Sequence, residues 1–196
     1  MRMSRTSPIV LISAILMSAG LLSAAPSIGG RAPDFSLPPA SGGRPVILSQ
    51  ELPKHRVTVL MFIATRCPYS NGYNGRMEKL SADYSGQNVA FLGINSNEGE
   101  PAAAVVEHAR LHGLTFPILK DAGSSVADLY GAQRTPEIFV VDASGALRYH
   151  GRIDENAQDP SAVRSPDLRN ALDALISGRP VPAAETKAFG CSIKRP

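Results

Sequence analysis

No run of basic residues, no glycine-rich phosphate loop, no His-Glu-x-x-His pair and no internal repeat occurs in the 196 residues. The first absence argues against a nucleic-acid partner. The second and third exclude phosphate cradling and the zinc-protease pattern. A Ser/His/Asp arrangement with recognisable context is also missing, so no cofactor is expected and no metal ligand set is assigned. Cysteine is scarce: Cys67 and Cys191 are the two present, and they allow one intramolecular pairing. Acidic residues are absent from residues 1–25. There Arg2 and Arg5 precede an apolar stretch, Ile9 to Leu22, and the small residues Ser23-Ala24-Ala25. This is the pattern of a secretory signal peptide over 1–25. Cleavage after Ala25 fits the small-residue rule best, while cleavage after Ala24 avoids a leading Pro26, and both stay open. The alternative is an uncleaved anchor, although the stretch is short for a span and holds Ser13, Ser18 and Gly20. Membrane contact is expected only through this segment, if it is uncleaved. No cysteine follows it for lipid attachment. Export places the chain in the periplasm or outside the cell, where thiols can pair. The net charge of +3 owes much to Arg2 and Arg5.

What is present centres on Val57-Thr-Val-Leu-Met-Phe-Ile-Ala-Thr-Arg-Cys-Pro-Tyr-Ser. Val57 to Ile63 is apolar and free of breakers, as a strand buried on both faces would be. The chain then turns, and Pro68 suits the first position of a helix predicted over Tyr69–Tyr84, with Met77, Leu80 and Tyr84 forming one stripe. Cys67 thus falls at a helix N-terminus, where free N–H groups favour a thiolate. Its neighbour Arg66 adds positive charge.

Around this centre, Ser27–Gly43 reads as an extended lead-in with Asp34–Leu37 a possible edge strand, and Val46–Leu48 as a short strand. Glu51–Arg56 is a polar turn. A second core strand is predicted over Asn88–Asn95, then a loop at Ser96–Gly99. A helix follows over Pro101–His112 with Val105, Ala109 and Leu111 apolar and Gly113 at its end. A short strand over Phe116–Leu119 precedes a small helix capped by Ser124 or Ser125 and ending at Tyr130. Glu137–Val141 and Ala146–Ile153 form a hairpin about Asp142–Gly145. Asp154–Ser165 is polar and expected to be mobile. Pro166–Ile176 is an amphipathic helix with Leu168, Leu172, Leu175 and Ile176 inward. The expected fold class is α/β, a mixed sheet flanked by helices. Composition gives the tail, Ser177–Pro196, no firm docking.

This order, with Cys-Pro opening the first helix and Thr135-Pro136 before the hairpin, resembles the thioredoxin fold. The lead-in Gly-Gly-Arg-Ala-Pro-Asp-Phe-Ser-Leu over 29–37 resembles the start of the redoxin branch of that superfamily. Further stretches resemble a peroxiredoxin-like group within it: Cys-Pro-Tyr-Ser-Asn-Gly-Tyr-Asn, Phe-Pro-Ile-Leu-Lys-Asp, Arg-Thr-Pro-Glu-Ile-Phe-Val-Val-Asp, Gly-Arg-Ile-Asp-Glu-Asn and Gly-Cys-Ser-Ile-Lys. The resemblance implies a thioredoxin-like redoxin domain over 26–180 with an N-terminal extension, and a C-terminal tail over 181–196 that carries Cys191. Two departures stand out. The thioredoxin Cys-x-x-Cys is Cys67-Pro68-Tyr69-Ser70 here, and a hydroxyl cannot close a disulfide. The peroxiredoxin Thr-x-x-Cys is met in neither register, because the threonine position falls on Cys67 or on Ala64.

The resemblance makes Cys67 the nucleophile and Thr135-Pro136 a cis-proline loop facing it, with the Thr135 backbone free to pair with an incoming peptide. Ser70 either hydrogen-bonds the Cys67 thiolate or only assists the first helical turn. Cys191 acts with Cys67, as a disulfide or shared metal ligand, or is a leftover thiol. His108 and His112 read as a solvated helix face, and His55 has no evident role. Three functions follow. The first is an exported thiol–disulfide oxidoreductase or peroxiredoxin-like reductase, whose partner is a thiol or disulfide protein or a peroxide. The second is a Cu(I) carrier using two thiolates, with His150 as a possible third ligand. The third is a thiol-bearing binding module without turnover.

Overall fold

Every residue of β3 (Val57–Phe62) is buried, and the strand lies at the middle of a five-stranded sheet. The computed structural model describes residues 25–196, so nearly all of the expected signal segment lies outside the described residues. A two-residue lead-in strand, β1 (Ser36–Leu37), pairs with β2 (Val46–Ile47). A short helix, α1 (Leu48–Glu51), then brings the chain to β3. After β3 come α2 (Pro68–Gly72), α3 (Asn74–Tyr84), β4 (Val89–Asn95) and α4 (Ala102–His112). They are followed by β5 (Ile118–Lys120), α5 (Ser125–Tyr130) and β6 (Arg134–Thr135). The chain ends with β7 (Glu137–Asp142), β8 (Leu147–Gly151), α6 (Asp167–Ile176) and β9 (Cys191–Ser192).

The main sheet runs β5-β4-β3-β7-β8. β3 and β4 are parallel with Val57 opposite Val89, and β3 and β7 antiparallel with Val57 opposite Asp142. Alternation along β3 divides the core. Val57, Val59 and Met61 pack with Met77, Leu80 and Tyr84 of α3 and Leu168 and Leu172 of α6. Leu60 and Phe62 face Phe35, Leu37, Val126 and Tyr130. Each such aliphatic or aromatic side chain contributes about 1.5–3 kcal/mol on burial. This is the mixed sheet with helices on both faces that the sequence implies.

Several local expectations need correction. The helix predicted over Tyr69–Tyr84 divides at Tyr73. A Cβ at Gly72 would sit 2.6 Å from the Ala157 carbonyl oxygen, so the helix meets the 154–157 loop there. The start of the segment Asp154–Ser165, expected to be mobile, is pinned. Asp154 is buried, accepts from the Tyr73 hydroxyl at 2.9 Å and pairs with Arg76 at 2.7 Å. Leu111 is 64% exposed, because the buried stripe of α4 rests on Val105. Neither Ser124 nor Ser125 caps α5 through its side chain. The Asp121 carboxylate accepts from the Val126 and Ala127 N–H groups at 3.0–3.1 Å, while Ser124 donates to the Ser96 carbonyl. The tail is docked as well. Thr186 N–H donates to His150 O at 3.0 Å, Ile193 is buried, and β9 pairs with β6. No described helix is long and apolar enough to cross a membrane.

Candidate functional site

Cys67 is the N-cap residue of α2, with extended backbone (φ −89°, ψ 117°) and Pro68 at the first helical position. β3 ends at Phe62, and the turn over residues 63–66 leads to Cys67, so the thiol stands beyond the carboxyl end of the central strand. Its sulfur accepts the Ser70 N–H at 3.3 Å and, as a thiol, donates to the Thr135 carbonyl at 3.1 Å. The side chain is 3% exposed. Burial pushes its pKa up, but the neighbouring Cys191 thiol, Thr135 and the Ser70 N–H outweigh that, and the thiol is held below its ordinary value. The Thr135 hydroxyl is buried and has no hydrogen-bond partner, so it is available to a thiolate.

Cys191 reaches this point through β9. Antiparallel pairing sets Cys191 opposite Thr135 and Ser192 opposite Arg134. The residue before it must be glycine. Gly190 has φ +144°, and a Cβ there would lie 2.1 Å from the Thr135 carbonyl oxygen. Burial and then the neighbouring Cys67 sulfur raise the Cys191 pKa. The two thiols, both free, are therefore unequal, with Cys67 the better thiolate of the two.

Thr135-Pro136 is cis. The expectation that the Thr135 backbone is free for a peptide is not met, since β9 pairs with it. Ser70 is buried, and its hydroxyl accepts the Ala64 N–H at 3.1 Å. It is the Ser70 main chain, not the hydroxyl, that meets the sulfur. His150 lies elsewhere, 2.8 Å from Glu137 and stacked on Phe139. Among the described residues no group of three or more His, Cys, Asp or Glu is placed to hold a metal. His108 is half-buried against Asn74 at 3.2 Å, with its pKa lowered by burial, so it is not the solvated histidine expected.

The residue that sequence reasoning missed is Glu100. It is 4% exposed and takes four hydrogen bonds, from Thr65 N–H (2.8 Å), Arg66 N–H (3.2 Å), Asn95 (2.6 Å) and Asn97 (3.1 Å). Burial pushes its carboxyl up, but these donors hold it below its ordinary value. Asn97 in turn accepts the Lys194 N–H at 2.7 Å. One carboxylate therefore braces the turn before Cys67 and, through Asn97, the tail beyond Cys191. The polar run Asn95-Ser-Asn-Glu-Gly-Glu at the carboxyl end of a buried strand was the available signal.

Residues 28–150 match the AhpC/TSA family. The chain belongs to that family. Thiol-disulfide oxidoreductase ResA of Geobacillus thermodenitrificans is 31% identical to this AhpC/TSA-family chain over 129 residues, which is 62% of this chain and 67% of that one. ResA of Halalkalibacterium halodurans is 34% identical over 88 residues, 45% of this chain, and the match spans about half (49%) of that protein's length. A hypothetical protein of Sinorhizobium meliloti superposes with a TM-score of 0.80 at 35% identity, covering 89% of this chain and 97% of its own. Peroxidoxin BcpB of Mycobacterium tuberculosis and a thiol:disulfide interchange protein DsbE of Chlorobium tepidum, each with a TM-score of 0.63 at 22% identity, share the thioredoxin-like fold.

Proposed function

We propose that this chain is an exported thiol–disulfide oxidoreductase in which Cys67 is the nucleophile and Cys191 the resolving thiol. The observation that carries this reading is the juxtaposition of two unequal thiols. An acidified Cys67 at a helix start faces a Cys191 delivered by β9. The Cys67 thiolate attacks a disulfide R–S–S–R, forming Cys67–S–S–R and releasing R–S⁻. Cys191 then loses its proton and attacks the Cys67 sulfur, releasing a second R–S⁻. Two protons from the cysteines balance the two thiols produced. A thiol or dithiol reductant restores the pair. Thr135 and Pro136 shape the wall beside Cys67, and Ser70 presents its N–H to the sulfur. The kinship with ResA supports the reaction class, and the Arg2/Arg5 and Ile9–Leu22 pattern supports export.

A peroxide would use the same sulfurs through a Cys67 sulfenate closed by Cys191. The disulfide reading is preferred because, among the described residues, no cationic side chain hydrogen-bonds the Cys67 sulfur. The test is to mix reduced Cys191→Ser protein with one equivalent of a small disulfide and map adducts by mass. A stable adduct on Cys67 is expected, with none in Cys67→Ser. Absence of any adduct on Cys67 would remove the assignment.

A further inference from the structure

The tail is held at several points along its length. The Ala184 carbonyl accepts from His150 N–H at 2.9 Å. The Phe189 ring lies edge-on to Tyr69 at 6.1 Å. Ile193, 5% exposed, donates its N–H to Gln133 O at 3.0 Å. Lys194 is held at both ends of its peptide unit, by Asn97 Oδ1 and by the Glu98 N–H, each at 2.7 Å. Arg195 reaches Asp128 at 2.6 Å and the Ala132 carbonyl at 2.7 Å.

An extended peptide binds a sheet edge by taking up its main-chain N–H and C=O groups, one strand spacing of about 4.8 Å away. The edge nearest Cys67 is β6, and β9 already occupies it. What stays open beside the sulfurs is a cleft of about 310 Å³ whose lining includes Arg66, Cys67, Asn97, Glu100, Cys191 and Lys194. We propose that β9 stands where a peptide substrate would lie, and that the docked tail restricts the site to low-molecular-weight disulfides, excluding polypeptide disulfides. This rests on the function proposed above and follows the same balanced exchange. The small disulfide is reduced to two thiols while Cys67 and Cys191 are oxidised to one disulfide.

The test uses the reduced full chain in single turnover, with hydroxyethyl disulfide or insulin as oxidant. Loss of the Cys67 thiol is followed by quenching with an alkylating agent and mass mapping. Each rate is normalised to that of the same disulfide with dithiothreitol. The normalised rate with hydroxyethyl disulfide is expected to exceed that with insulin at least tenfold. Ile193→Ala and Arg195→Ala each loosen the tail without touching either sulfur, and each is expected to raise the insulin rate severalfold while leaving the small-disulfide rate within twofold. The Arg195 variant alters an ion pair on the surface and so keeps the test open if the Ile193 variant misfolds. Equal normalised rates in the unaltered chain, or no gain with insulin in a folded variant, would overturn the size restriction alone. Failure of Cys67 to react with either disulfide would instead overturn the underlying oxidoreductase assignment.

Discussion

At the scale of single residues, the site depends on asymmetry between like groups. Cys67 gains an N-cap position, the Ser70 N–H and the neighbouring Cys191 thiol, while for Cys191 burial and the Cys67 sulfur outweigh the lowering by the Tyr69 main chain and Lys194. Alkylation at graded pH should therefore modify Cys67 first, at a pH below the free-thiol value of about 8.5, with Cys191 following above it. Equal rates at all pH values would remove the assignment of roles. Cys191→Ala should shift the Cys67 profile upward, because a neighbour that lowers the Cys67 pKa is lost. Glu100 makes a second case. Its carboxyl lies below its ordinary value of 4.5 in the folded chain, so the unfolded chain takes up the proton first as pH falls. Its contribution is complete above about pH 4.5 and is lost as pH drops through the folded value. Glu100→Gln should flatten that acid limb of the stability curve. Glu100→Ala, which strands four donors, should cost about 3 kcal/mol or more by urea melt. An unchanged melt would mean that water replaces the carboxylate.

At the scale of elements, what the sequence disclosed follows from where the information lies. β3 and β4 are legible because unbroken apolar runs specify burial on both faces, and the turn at Asp142–Gly145 because its residues set its geometry. α5 shows the limit. Its position was readable, but the cap comes from Asp121, behind the turn at Ala122–Ser124, a bond that only the folded path creates. Asp121→Ala should destabilise by about 1–2 kcal/mol through the lost cap alone, and more because Ser96 also loses its acceptor. β9 was invisible. It is two residues long, and its place is fixed by main-chain bonds and by one glycine with no room for a side chain. Composition carries no trace of such docking, and the same holds for Asp154, whose polar segment is anchored by Tyr73 and Arg76. Of the site, Cys67 was readable as the thiol at a helix start, but the network joining Glu100, Asn97 and Lys194 was not. By contrast Leu111, apolar in sequence and exposed in the fold, should accept lysine with a change within about 0.5 kcal/mol.

At the scale of the whole molecule, the tail ties the last residues of the chain to the end of its central strand. Oxidation of the two thiols would close a loop of more than a hundred residues, for which loop entropy predicts about 4–5 kcal/mol of stabilisation. The oxidised chain should then unfold at a higher urea concentration than the reduced chain, and reduction should leave the fold intact because β9 is docked with both thiols free. The central claim is that Cys67 and Cys191 form one redox pair. Equilibration of the purified chain across a series of glutathione redox buffers, followed by acid quenching and mass mapping, tests it directly. The account predicts a monomer in which both thiols disappear together in a single two-electron transition, yielding an internal Cys67–Cys191 disulfide. Glutathione accumulating on Cys67 while Cys191 remains free across the series, or a dimer joined through Cys191, would contradict it.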